Sequence, residues 1–328
     1  MTHAPLDFSG QIRAGSSREM IIESGLIRVG ASSWSDKSLT QDGNWYPRKT
    51  MKAVDRIAFY ADRLSVVEME NTYRFPPTAA VSEQWSQRTP DHFRIDLQAW
   101  SLLTEQPTFP PSLWEDLVTE VPEDRRDKPR LYSSHLSNDA LTECWNRFTY
   151  ALRPLVDAGR LGTVILRYPR WFVPRHANRQ TLERAREHLG DIPASVEFAC
   201  PDWVDSECCE DTFAMLEDLQ LGFVCVDAAE GDPRQLRGVS ATTSDIAVLR
   251  MIGRRPVEDR DAWLPDGRSY RYTQAELRAL LPRLEHLAGG ARELHVLFGT
   301  CWKDDAVRNA ETMQEIVAER ATRLRSER

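Results

Sequence analysis

Eight short runs rich in Val, Ile, Leu and Phe punctuate the chain: Leu26–Ala31, Ser65–Glu70, Phe93–Gln98, Thr163–Tyr168, Ala194–Phe198, Gly222–Asp227, Ile246–Met251 and Glu293–Phe298. Each is bounded by Gly, Pro or polar residues, and nearly continuous apolar character is what a parallel strand buried on both faces requires. Between them, helical patterns occupy Val54–Arg63, Ala79–Arg88, Leu141–Ala158, Arg179–Leu189, Asp211–Leu219, Gln274–Leu287 and Ala306–Arg325. The sixth connection, Ala228–Asp245, has little helical character. This alternation predicts an α/β protein built as a single (β/α)8 TIM-type barrel, with extended loops after the third and seventh strands, Ser101–Asp139 and Gly253–Thr273. The alternative is a doubly wound open sheet, which for dinucleotide binding would need a Gly-rich turn after its first strand; SSWSDKSLTQDG follows instead.

The predicted organisation is a flexible N-terminal extension over 1–24, a barrel domain over 25–318 and a charged C-terminal tail over 319–328. At 328 residues, 41% apolar and 28% charged, the chain has ample material for a core. Its net charge of −8, with no long basic run, argues against binding driven by nucleic-acid phosphates. No window is apolar enough to span a membrane, and the N-terminus does not read as a signal peptide. The six cysteines contain no C-x-x-C pair, so reduced thiols and a cytoplasmic location are expected.

In a barrel, chemistry collects where the C-terminal ends of the strands converge. Five of the ten tryptophans closely follow a predicted strand: Trp34, Trp100, Trp171, Trp203 and Trp302. They predict either an aromatic-lined mouth that stacks on a ligand or a set of plugs supporting the loops. Charged residues also sit within or at the ends of strands: Glu68, Glu70, Asp96, Arg167, Glu197, Asp227 and Arg250. Buried charges demand partners, so these form either a structural salt-bridge network or a site. In the site reading Glu197 is general base or acid, Arg250 and Arg167 anchor an anion, and Glu68 is the orienting carboxylate. Asp227 is a further candidate ligand contact. No cofactor is expected. Glu197 and Asp227 end successive strands as metal-binding carboxylates often do, but no histidine directly follows a strand, so no metal is expected either. There is no G-x-S-x-G elbow and no P-loop.

At the same strand ends the chain resembles the YecE-like family, also called domain of unknown function 72, from Leu26 to Val317. The likeness is carried by IRVGASSW (Ile27–Trp34), WYP (Trp45–Pro47), FYADRLSVVEMENTYRFPP (Phe59–Pro77), RLGTVILRYPRWF (Arg160–Phe172), SVEFACPDW (Ser195–Trp203), VLRMIG (Val248–Gly253) and AVRNA (Ala306–Ala310). Positions matching the family pattern are Trp34, Glu68, Thr72, Glu197, Trp203, Arg250 and Asn309. Tyr73 and Arg74 match with a one-residue ambiguity. Departures are Glu70, Gln98, Glu105, Arg167, Ala199, Ile252 and Gly299-Thr300, where the family usually has Asn, Lys, His, Gln, Arg, His and Asn-Asn. The resemblance implies the barrel but supplies no reaction. Together with the strand-end charges Arg167 and Asp227, the candidate ligand contacts around Glu197, Arg250 and Glu68 are Trp34, Thr72, Tyr73, Arg74, Gln98, Trp203 and Asn309. Because Lys, His and Arg positions are replaced and one arginine is new, either the ligand has changed or catalysis has gone. Three functions remain open: an enzyme acting on a small polar or phosphorylated ligand, a non-catalytic binding barrel, and a metal-dependent nucleic-acid-processing barrel. Charge and the missing histidines count against the third. The partner expected is a small molecule, and the sequence sets no oligomeric state.

Overall fold

The computed structural model describes residues 20–22, 25–229, 236, 238–255 and 269–326. A short strand β1 (Met20–Ile22) precedes eight parallel strands: β2 (Gly25–Ala31), β3 (Val66–Met69), β4 (Arg94–Gln98), β5 (Leu161–Tyr168), β6 (Ala194–Phe198), β7 (Leu221–Asp227), β8 (Ile246–Met251) and β9 (Glu293–Phe298). Each of β2 to β8 pairs with the next, and β9 pairs back onto β2 from Leu26↔Glu293 to Ala31↔Phe298, closing the barrel. Helices cover its outside: α1 (Ala53–Ala61), α2 (Ala79–Gln87), α3 (Glu123–Arg126), α4 (Asn138–Asp157), α5 (His176–Leu189), α6 (Cys209–Asp218), α7 (Gln274–Ala279), α8 (Leu281–Gly289) and α9 (Asp305–Ser326). The fold is the (β/α)8 barrel that the strand count predicts.

Local detail departs from or extends the expectations in four places. Within the predicted N-terminal extension, Met20–Ile22 form an antiparallel pair with Gly25–Ile27; the remainder, 1–19 and 23–24, lies outside the described residues. The predicted helix Gln274–Leu287 is broken at Leu280, because Pro282 has no N–H and its ring opposes a continuous helix. The connection after β4 is not structureless; it holds several 3-10 turns and α3. Helix α9 runs to Ser326 with Ala321 buried, matching the helical pattern over Ala306–Arg325 and carrying it into the charged tail. Residues 256–268 of the second extended loop, and 327–328 of the tail, are outside the described residues.

Period-two alternation divides each strand between two cores. Outward-facing residues such as Val29, Phe198, Phe223 and Leu249 pack under the helices. Val66, Ile165, Val224, Val226, Val248 and Leu297 form a separate apolar layer inside the barrel. Below it, toward the N-terminal ends, lies a fully buried polar group: His295 Nδ1 is 2.9–3.0 Å from both Asp96 oxygens, and Arg28 Nε is 2.6 Å from Glu293 Oε2. Strand β5 bulges here, its register on β4 shifting between Ile95 and Leu97. The Thr163 N–H donates to Asp96, and a Cβ on Gly162 would lie 2.1 Å from Asp96 Oδ1. Only glycine lets the bulge approach this closely. Charges above the apolar layer face the C-terminal mouth.

Candidate active site at the barrel mouth

Glu68, Gln98, Arg167, Glu197 and Arg250 come from five different strands, and alternation turns all of them inward. Arg250 sits at the centre. Its Nη1 donates to Glu197 Oε2 at 2.5 Å, and its Nη2 lies 3.2 Å from Glu68 Oε1. The other oxygen of Glu197 faces Arg167 Nε at 3.0 Å. Glu68 is fully used: Gln98 Nε2 donates to Oε1 at 2.6 Å and Ser32 Oγ to Oε2. Acids and bases therefore alternate in a chain, Glu68–Arg250–Glu197–Arg167, running from the closed interior outward.

Exposure rises along the chain. Glu68 is fully buried, the Glu197 and Arg250 side chains are 7% and 6% exposed, and the Arg167 side chain is 35% exposed. Burial alone would raise the Glu197 pKa, but the two guanidinium groups outweigh it and hold the carboxyl below its usual range. Arg250 is driven the other way by Glu197 and Glu68 and is permanently charged. This direction favours the ionised carboxylate of Glu197 at neutral pH. The Arg250 Nε–H is buried without an acceptor among the described residues. Beyond Arg167, Gln106 forms the lip: its Nε2 donates to Arg167 O at 3.0 Å, and its Oε1 accepts from Tyr73 OH at 3.3 Å.

Other predicted contacts lie elsewhere. Asp227 is the clearest correction. Its neighbours Val226 and Ala228 belong to the interior layer, so Asp227 points outward, where Arg254 grips it with two bonds of 2.7 and 2.9 Å and Tyr272 OH donates at 2.9 Å. Asp227 and Glu197 are thus on opposite faces of the sheet. Thr72 Oγ1 lies 2.6 Å from both Met69 O and Gln98 O and ties two strand ends together. Asn309 anchors the segment after β8, accepting from Tyr272 N and donating to Tyr270 O and Thr300 Oγ1. Arg74 is exposed and lies over the Phe109 ring.

The tryptophans do not form a stacking wall. Trp203 is fully buried on the outer face, stacked on Phe198 at 4.4 Å and donating to Phe172 O at 2.5 Å. Trp100 is buried under the β4 connection against Trp114 and Ser112. Trp34 donates to the Met69 sulfur, whereas Trp171 is exposed. Trp34, Trp100 and Trp203 are thus buried among loop and outer-face residues and do not line one shared cavity with the mouth charges.

Ser32 and Gln106 are site residues that the sequence reading missed. Ser32 continues the inward alternation of Arg28 and Gly30, a signal that strand parity would have found. Gln106 reaches the mouth from a loop and carries no such signal. Among the described residues, no three His, Cys, Asp or Glu side chains converge as a metal site would require, and no helix is long and apolar enough to cross a membrane.

Comparison with known proteins agrees with this architecture. The family described as "Protein of unknown function DUF72" matches residues 28–328. The UPF0759 protein YunF of Bacillus subtilis is 23% identical over 302 residues, covering 89% of this chain and 95% of its own. A DUF72 family crystal structure from Thermotoga maritima superposes with a TM-score of 0.67 at 23% identity, covering 89% of this chain and 98% of the other. One from Enterococcus faecalis gives 0.70 at 21% identity, covering 89% and 95%.

Proposed function

The chain belongs to the DUF72 family, and on that footing we propose that its barrel mouth binds a small anionic ligand bearing a phosphate or carboxylate group. The observation that carries this reading is the state of Arg167. Its Nε is engaged by Glu197 while about a third of the side chain stays exposed at the mouth, leaving the planar end of the guanidinium for an anion. The unpartnered Nε–H of Arg250 adds a second donor deeper in the same cluster. Arg250 itself is an anchor through that one atom only, because its terminal nitrogens are already held by Glu197 and Glu68. Glu68 orients Arg250 and does not meet the ligand.

A second reading makes the site catalytic. Glu197 Oε1 is held by Arg167, the exposed member of the chain. If a bound anion draws Arg167 away, that oxygen becomes a desolvated, charged base within reach of the ligand, and its proton affinity rises as the compensating cation leaves. The general-acid role has no support from the ionisation state.

The test is calorimetric titration of the protein and its Arg167→Met variant with inorganic phosphate and with citrate at low salt. Binding that weakens about tenfold or more in the variant, consistent with loss of a charge-assisted contact, supports the site. Equal affinity in the two proteins overturns it.

A further inference from the structure

We propose a second ligand site, on the outer face of the barrel, that takes a small zwitterion of the amino-acid class. A cavity of about 470 Å³ lies between the connection after β4 and helices α4 and α5, within the range of small-molecule sites. Its lining includes one acid, Glu105, and one strong base, Arg184, together with apolar surface from Leu103, Leu141 and Trp145. The remaining titratable wall group is His188. It stacks on Trp145 at 5.3 Å, and burial lowers its pKa, so it is neutral at pH 7.

Three features set this cavity apart from ordinary surface relief. First, Glu105 and Arg184 form no ion pair among the described residues, although both line this cavity, Glu105 half-buried and Arg184 exposed. Glu105 accepts a single hydrogen bond, on Oε2 from Ser133 Oγ at 2.9 Å, and Arg184 donates to Thr181 Oγ1 at 3.0 Å. Second, the Glu105 backbone is left-handed, with φ 57° and ψ 21°, a strained conformation for a residue with a Cβ, of the kind that collects at ligand sites. Third, the Tyr168 hydroxyl is buried without a hydrogen-bond partner. Besides burial, the charges acting on it are those of Glu105, which raises its pKa, and Arg184, which lowers it. Tyr168 does not itself line the cavity, but it feels both of the charges that do.

An acid and a base that do not pair with each other, lining one cavity together with apolar surface, match an α-amino acid with an apolar side chain. The ammonium meets Glu105, the carboxylate meets Arg184, and the side chain packs on Leu103, Leu141 and Trp145. This site is separate from the mouth. Glu105 and Arg184 lie outside the Glu68–Arg250–Glu197–Arg167 chain, so neither site depends on the other for its charges.

The experiment is isothermal titration with L-leucine, L-phenylalanine, N-acetyl-L-leucine and L-leucinamide. The expected result is binding of at least one free amino acid, with both capped forms weaker by about tenfold or more, since each loses one charge-assisted contact. Glu105→Gln should weaken L-leucine binding while leaving the weak N-acetyl-L-leucine binding unchanged, a selectivity that misfolding cannot imitate. Arg167→Met should bind L-leucine as the parent protein does, which separates this site from the mouth. No binding of either free amino acid, equal affinity for free and capped forms, or an unchanged Glu105→Gln variant overturns the proposal.

Discussion

Arg250 donates to Glu197 at 2.5 Å across 53 residues of sequence, and the same guanidinium lies 3.2 Å from Glu68. One buried cation therefore neutralises two buried carboxylates carried by β3 and β6. The arrangement is asymmetric. Glu197 keeps Arg167 if Arg250 is lost, whereas Glu68 keeps only the neutral donors Gln98 and Ser32.

Removal of Arg250 should accordingly be severe. Arg250→Met is expected to destabilise by about 3–5 kcal/mol, the usual result of breaking one side of a buried pair. Glu197→Gln combined with Arg250→Met should cost less than the sum of the two single changes, because the two residues are in contact. Urea unfolding of the four proteins measures this directly, and strictly additive losses would show that the contact carries no coupling.

Arg167→Met should behave differently. Its ion pair with Glu197 is partly exposed and screened, so stability should fall by no more than about 1 kcal/mol, while anion affinity falls steeply. A variant that unfolds as readily as Arg250→Met would make Arg167 a structural residue and remove the argument for a ligand at the mouth.

Glu197 also predicts acid sensitivity. Its folded pKa lies below the ordinary carboxylate value of 4.5, so the associated stability is complete above that value and is lost as pH falls through the folded pKa. Glu293, held down by His295 and Arg28 against the opposing effect of burial, acts in the same direction. Glu197→Gln should flatten part of the acid limb of a plot of urea midpoint against pH. An unchanged limb would mean that Glu197 titrates alike in the folded and unfolded chains.

His295 has the opposite sign. Burial lowers its pKa, but Asp96 and Glu293 outweigh this and raise it above the ordinary 6.5. Its contribution is full below that value and disappears as pH rises through the folded pKa. The protein should therefore lose stability on the alkaline side, and His295→Gln, though less stable throughout, should lose that slope. Urea midpoints taken between about pH 6 and pH 9, spanning the ordinary histidine range, test it. A parent protein with no alkaline slope would place a neutral imidazole in the barrel.

Beside that pair, Gly162→Ala should cost at least about 1–3 kcal/mol, the range for forcing extra atoms into a packed core. The added carbon would lie 2.1 Å from Asp96 and 2.8 Å from His295 Cε1, both fixed by hydrogen bonds. A thermal melt of the variant within a degree of the parent would show that the bulge can move aside.

The barrel is legible in the sequence because strands buried on both sides read as apolar runs. Three of them, Ala194–Phe198, Ile246–Met251 and Glu293–Phe298, have the predicted limits. The coupling of Glu197 to Arg250 is legible for the same reason, since strand ends fix height and alternation fixes face. Asp227 is misassigned when height is used without face; the apolar parity of Val224 and Val226 contains the correction. The tryptophans mislead similarly, because position after a strand says that aromatic mass gathers there but not on which side. The pairing of Asp96 with His295 spans 199 residues and an irregular register at β5. Nothing local in the sequence announces it. Gln106 belongs to a loop, where side-chain direction has no period to read.

Closure of the barrel has a consequence for how the chain comes to be folded. The seam joins β2 to β9, and the Arg28–Glu293 contact bridges 265 positions. During synthesis the early strands must wait for Glu293–Phe298 to emerge, exposing one unpaired edge of a growing sheet for most of that time. Contacts of such separation carry a large loop-closure entropy and form slowly, and open strand edges in partly folded chains invite pairing with other molecules. Yield in the cell should therefore depend on temperature and on chaperone supply more than the stability of the finished barrel would suggest. Weakening the seam should show first as aggregation of newly made chains, before any change is visible in the mature protein.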